Sequence, residues 1–149
     1  MVMHSQTAER LQLLFREMEL SIAGIEEIIP LEQAAIGQLN TEKIHELTEK
    51  RKVLWQELKS CKSQCQLLFR HHGVPEESEF SLFIDIHLAE DAPVLQKLRQ
   101  GLNERIISIS QSSELNAIRL RAAAESIAET LQGLGLLQRK STYGQDGMM

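Results

Sequence analysis

Residues 41–70 read TEKIHELTEKRKVLWQELKSCKSQCQLLFR, and this stretch decides the fold class. Its apolar positions recur in steps of three and four residues: Ile44, Leu47, Leu54, Leu58, Cys61, Cys65 and Leu68. Such a heptad seam is typical of a helix that packs against other helices, and only Arg51 interrupts it. Asn40 or Thr41 is suited to cap the start of this helix, because either side chain can accept a bond from a free backbone N–H.

A helix is predicted on each side of this second one. The first covers about residues 5–37 and contains Pro30, which should bend it because proline removes a backbone hydrogen bond. The third covers about residues 93–135 and follows Asp91-Ala92-Pro93, a cap with an early-turn proline. We therefore expect an all-α fold, an elongated antiparallel three-helix bundle or coiled coil with a long C-terminal helix.

The remaining segments are less regular. Residues 71–92 connect the second and third helices, and within them Ser78 to Leu88 alternates like a strand yet also has a helical face. Because a lone strand would leave its backbone unpaired, a short helix is the better prediction. Residues 138–149 lack any apolar period and should form a mobile tail. The whole chain, residues 1–149, is the length of one domain.

The predicted helix lengths give a register. If the second and third helices pack antiparallel, Arg51 falls opposite Ser112 to Asn116, so that the polar breaks of the two seams meet. The second helix then ends opposite residue 122, and the third projects about three turns further. The projecting apolar residues are Ile127, Leu131, Leu134, Leu136 and Leu137. This stripe is either a partner-binding site or a surface covered by the first helix.

Composition narrows the function classes. The chain has 42% hydrophobic residues, only 4% aromatic residues and a net charge of −5, a balance typical of helical bundles. The basic cluster Lys50-Arg51-Lys52 is flanked by glutamates, so it does not make a nucleic-acid surface. Neither a secretory signal nor a membrane-spanning stretch is visible, so we expect a cytoplasmic protein without membrane insertion.

Residues that could carry chemistry fit structural roles better. Cys61 and Cys65, followed by His71 and His72, have a loose metal-site spacing, but both cysteines lie on the apolar seam and serve there as small hydrophobes. His45 and His87 lack the neighbours of a phosphotransfer histidine, and Trp55 fits packing in the core or in a groove. The sequence therefore predicts a protein-binding function without catalysis, metal or cofactor.

Several segments resemble flagellar export chaperones of the FlgN type. They are Leu31-Glu32-x-x-Ala35-Ile36, Asn40 leading to Ile44-x-x-Leu47, Lys50–Lys52, Gln66-Leu67-Leu68, Asn116 with Leu120, and Thr142-Tyr143-Gly144-Gln145-Asp146-Gly147. The resemblance covers nearly the whole chain, although its motifs are degenerate. Pro30 and the capping Asn40 depart from the family's usual pattern.

The resemblance implies a cytoplasmic chaperone that binds hook–filament junction proteins and delivers them to the flagellar type III export gate. It implies client binding by the C-terminal part, and gate docking by Tyr143. Helix-in-groove recognition by the projecting stripe fits this role. The alternative is a structural coiled-coil or adaptor protein that self-associates through the same stripe. Whether free chains form a weak homodimer, and which junction protein is preferred, stays open.

Overall fold

The computed structural model of the chain describes residues 2–73 and 80–135, and within these ranges all regular structure is helical. Three long helices form the body: α1 (Val2–Gly37), α2 (Thr41–His71) and α4 (Ala92–Gly133). A short helix, α3 (Phe80–His87), and a 3-10 turn (Ala89–Asp91) precede α4. The all-α prediction is confirmed, and the three predicted helices correspond to α1, α2 and α4 with ends within a few residues. The predicted tail, 138–149, lies outside the described residues.

The two helices α1 and α2 form an antiparallel pair. Near one end the Arg10 guanidinium donates a hydrogen bond to the Gln64 side chain at 2.6 Å. Near the other end the Thr48 hydroxyl donates to the Glu32 carboxylate at 3.1 Å. Residue numbers therefore rise along α1 as they fall along α2.

Helix α4 runs parallel to α1 along its other side. The Arg105 guanidinium forms two hydrogen bonds to the Glu26 carboxylate, at 2.7 and 3.0 Å, and these lower the pKa of Glu26. Further along, the Asn116 amide donates to the backbone carbonyl of Ile29 at 3.0 Å. Since α2 and α4 each pack along α1 while their own backbones approach each other little, α1 is the central helix.

The main hydrophobic core is centred on α1, and the other helices pack onto it. Its fully buried large residues are Leu11, Leu14, Phe15, Ile22 and Ile25 of α1, with Phe69, Phe83, Ile84 and Leu95. Burial of each such side chain contributes about 1.5–3 kcal/mol to the stability of the fold. A smaller cluster of Ile28, Ala35 and Leu47 continues the core toward the α1–α2 turn.

We call the end of the bundle near the α1–α2 turn the distal end.

The segment between α2 and α4 contains the predicted short helix. Phe83 and Ile84 of α3 are buried, and the Phe83 ring lies 4.3 Å from the Phe69 ring, centroid to centroid. The Gln96 amide ties α4 to α3 through the Ser81 carbonyl at 2.9 Å. In residues 80–91, the part of this segment that the structure describes, the strand-like alternation has no structural counterpart, because adjacent Phe83 and Ile84 both face the core.

The turn between α1 and α2 is capped from both sides. The Asn40 side chain accepts a hydrogen bond from the Lys43 N–H at 3.1 Å, which confirms it as the N-cap of α2. At the end of α1 the left-handed position is held by Leu39, with φ of 55°, and not by Gly37. The Asn40 N–H bonds back to the Ala35 carbonyl at 3.0 Å and closes the turn. Helix α1 is continuous through the exposed Pro30, and a bend there stays a prediction.

The polar break at Arg51 has a different partner from the one that we predicted. Its Nε donates to the Glu32 carboxylate at 2.9 Å, whereas Asn116 bonds to the Ile29 carbonyl. Both polar residues thus contact the same level of α1, one from each side. The predicted register brings Arg51 and Asn116 to one level of the bundle, as observed, but α1 and not α4 supplies the hydrogen-bond partner of Arg51.

Candidate protein-binding surface

One face of α4 changes from buried to exposed along its length. Leu102 and Ile109 are 4% and 3% exposed, and Asn116, one heptad further, is also buried. On the same face Leu120 is 39% exposed and Ile127 is 43% exposed. Leu134, another heptad on, is 66% exposed. The core-facing seam therefore continues past Asn116 as an apolar surface with incomplete cover.

We call this surface the distal stripe, defined by its three exposed residues and one half-buried residue: Leu120, Ile127, Leu134 and Leu131. Two helices stop beside it. Helix α1 ends at Gly37 and α2 begins at Thr41, so neither can follow α4 to Gly133. Of the predicted site residues, the structure places Ile127, Leu131 and Leu134 on this one surface. Leu136, Leu137 and Tyr143 lie outside the described residues.

A cavity of about 490 Å³ lies where α1 ends against α4. Its walls come from the end of α1, from Leu39 in the turn that follows, and from a segment of α4 that includes Ile127 of the distal stripe. The lining residues are Gln33, Ile36, Gly37, Leu39, Arg119, Ala123, Ser126 and Ile127. The cover that α1 gives to the stripe is therefore partial. Helix α1 shields the stripe as far as Ile127, and beyond Ile127 the lining of this cavity ends.

Sequence reasoning missed two residues of this surface. Leu120 lies on the predicted seam, and its exposure could not be inferred without knowing that cover ends after Asn116. Leu39 is exposed at the cavity wall in the left-handed conformation, which costs a leucine about 1–2 kcal/mol relative to a right-handed one. Helices usually have a glycine at this left-handed position. The leucine that stands there before Asn40 was therefore the feature of the sequence that could have pointed to it.

Comparison with known proteins places the chain. Its whole length, residues 1–149, matches the family described as FlgN protein. The chain belongs to the FlgN family. Neither the comparison with curated proteins nor the comparison with solved structures gave a significant match. FlgN membership supports a role as a flagellar export chaperone.

Several of the residues that carry the FlgN resemblance have structural roles at the distal end. Glu32 bonds to Arg51 and Thr48, while Ala35 and Leu47 form the smaller core cluster. Asn116 ties α4 to α1, and the Arg119 guanidinium donates to its side-chain oxygen at 3.0 Å. These residues fix the three helices at the level where the distal stripe begins.

The two cysteines of this FlgN protein are buried, free thiols. Burial raises the pKa of Cys65 to about 12, and burial together with the nearby Glu17 carboxylate raises that of Cys61. Both thiols are therefore protonated near neutral pH. In the described part of the chain no cluster of three or more histidine, cysteine or acidic side chains has metal-site geometry.

Replacing both cysteines should therefore affect packing alone. We expect Cys61→Ala with Cys65→Ala to lower the free energy of unfolding by about 1 kcal/mol per site, because each change removes one buried atom. Urea unfolding followed by circular dichroism measures this loss. Stoichiometric zinc in protein purified without chelator, absent from the double variant, would contradict the packing role.

None of the described helices is long and apolar enough to cross a lipid bilayer.

Proposed function

We propose that this FlgN protein binds hook–filament junction proteins in the bacterial cytoplasm and delivers them to the flagellar type III export gate. The observation that supports the proposal is the distal stripe, an apolar seam of α4 that extends beyond the helices that cover it. A client helix that lies on this stripe would continue the packing that α1 provides up to Ile127. The proposed activity is non-covalent binding and release of the client.

The energies are adequate for such a role. Burying one Leu or Ile side chain stabilises a complex by about 1.5–3 kcal/mol. The four side chains of the distal stripe together support about micromolar affinity after the costs of association are subtracted. A chaperone must release its client at the gate, and affinity in this range permits release.

The proposal is tested by size and composition. Light scattering of the free chain should show a small particle, and addition of a junction protein should give a complex of defined stoichiometry. Co-purification from a flagellated bacterium, followed by mass spectrometry, should recover junction proteins. If the free chain were an obligate oligomer that recovered none of them, the stripe would serve self-association, as expected of a coiled-coil adaptor.

The strained turn residue offers a further prediction. We expect Leu39→Gly to raise the free energy of unfolding by up to about 1 kcal/mol, because glycine adopts the left-handed conformation without strain. The same change removes an apolar wall of the cavity between the end of α1 and α4, and it should weaken client binding several-fold. Calorimetric titration measures the affinity. Leu20→Ala, at an exposed position of α1 remote from this cavity, is the control and should leave affinity unchanged.

Tyr143 is the proposed gate-docking residue, on the basis of the family resemblance. We expect Tyr143→Ala to leave client affinity unchanged and to reduce export of junction proteins strongly, because an aromatic anchor is removed from the docking contact. Secretion of junction proteins into the medium, measured alongside client affinity, separates the two effects. Tyr143→Phe should restore most of the export if ring packing dominates. A loss of client affinity in Tyr143→Ala would assign the residue to the client site instead.

A further inference from the structure

A second apolar recess lies away from the distal stripe, between α2 and α4. Helix α1 forms its floor, and α2 and α4 form its walls because their backbones stand apart. The recess has a volume of about 420 Å³. Its apolar lining consists of Phe15, Met18, Trp55, Leu58, Leu102 and Ile106. We call it the α2–α4 groove; it occupies the position that a fourth helix would take in a four-helix bundle.

The charged residues of the groove all have the same sign. Lys59 and Lys62 line it from α2, and Arg99 lines it from α4. No acidic side chain belongs to the lining, although the chain as a whole carries a net charge of −5. The Arg99 Nε donates to the neutral Gln96 side chain at 2.8 Å. In the part of the chain that the structure describes, none of the three cations pairs with a carboxylate.

Residues 136–149 of the same chain are unsuited to fill this groove. The charged residues of this segment are Arg139, Lys140 and Asp146, so its net charge of +1 has the same sign as the charged residues of the groove.

We infer that the α2–α4 groove binds an acidic amphipathic helix of a partner protein. Apolar side chains spaced three and four residues apart would enter the recess, and glutamates or aspartates beside them would face the lysines and the arginine. Exposed ion pairs of this kind guide association and choice of partner more than they add affinity. Because the groove and the distal stripe are separate surfaces, a client and this second partner can be bound together.

The position of Trp55 makes the inference directly measurable. It is the chain's single tryptophan, and it is half-buried in the groove lining. The probe is a synthetic helical peptide of about 20 residues, without tryptophan, with leucines on one face flanked by glutamates. When the peptide is titrated into the full chain, the Trp55 emission should shift until the binding saturates. Salt should weaken the binding, because the ion pairs between the peptide and the groove are exposed.

A charge-reversed variant tests the recognition. Lys59→Glu with Lys62→Glu changes two exposed side chains and should weaken peptide binding about tenfold. Lys52→Glu with Lys97→Glu makes the same charge change outside the groove and should leave binding unchanged. A peptide with lysines in place of the glutamates should bind at least tenfold more weakly.

Three results would overturn the inference. The first is an absence of any saturable Trp55 shift, and the second is equal binding of the acidic and basic peptides. The third is a Trp55 shift caused by raising the chain's own concentration, with a matching increase in sedimentation rate, since a second copy would then be the occupant. Client binding at the distal stripe is measured separately with a junction protein, so failure at one surface does not imply failure at the other.

Discussion

Arg51→Leu is expected to lower the free energy of unfolding by about 3–5 kcal/mol, the cost of breaking a buried ion pair. Glu32 is almost fully buried, and its carboxylate accepts bonds from Arg51 at 2.9 Å and from Thr48 at 3.1 Å. Without the guanidinium, a buried negative charge would keep only a neutral hydroxyl as partner. Urea unfolding at neutral pH measures the loss.

Two further variants show whether the pair itself is responsible. Arg51→Leu combined with Glu32→Leu should recover most of the lost stability, because no unpaired charge then remains in the interior. Lys50→Leu removes a neighbouring lysine that pairs with the exposed Glu46, and it should leave the unfolding midpoint nearly unchanged. If Arg51→Leu were as stable as the unmodified chain, the interaction with Glu32 would not be structurally important.

Leu131→Asp together with Leu134→Asp is expected to reduce client affinity by more than about 100-fold, because two apolar contacts of about 1.5–3 kcal/mol each are lost. Both residues lie beyond the helices that cover α4, so the bundle should remain folded. Calorimetric titration with a junction protein measures the affinity, and circular dichroism should show an unchanged helical signal.

The matched control lies on the opposite face of the same helix. Ile107 and Ile118 are about half exposed, and Ile118 is nine residues, or half a turn in projection, from Ile127. Ile107→Asp with Ile118→Asp introduces the same two charges on α4 and should leave client affinity unchanged. Equal losses in the two double variants would mean that added negative charge on α4, and not the distal stripe, controls binding.

Features that depend on local chemistry were predictable from the sequence. Helical periodicity located the long helices, and the short helix before α4 followed from the need to pair its backbone. The capping role of Asn40 was also predictable, because an N-cap bond involves only residues close in the chain. The extent of the distal stripe was partly predictable, since helix lengths show where α2 must end.

Features that depend on which helix neighbours which were not predictable. A heptad seam shows that a helix has an apolar face, but several neighbours can cover that face, so the central place of α1 was missed. Glu32 lies between Ile28 and Ile36 on the buried face of α1, and its charge is opposite to that of Arg51. If both residues had been treated as interruptions of their apolar seams, Glu32 could have been predicted as the partner of Arg51. The α2–α4 groove depends on the separation of two helices, which residue spacing does not encode.

Hydrogen exchange of the full chain, alone and with a junction protein, shows directly whether the client binds on the distal stripe. We expect the client to slow amide exchange in α4 from Leu120 to Leu134 and around the α1–α2 turn, because a bound helix would cover both. Exchange around Trp55 and Ile106, in the α2–α4 groove, should stay unchanged. Slower exchange around the groove, with no change between Leu120 and Leu134, would mean that the client binds in the groove and not on the distal stripe.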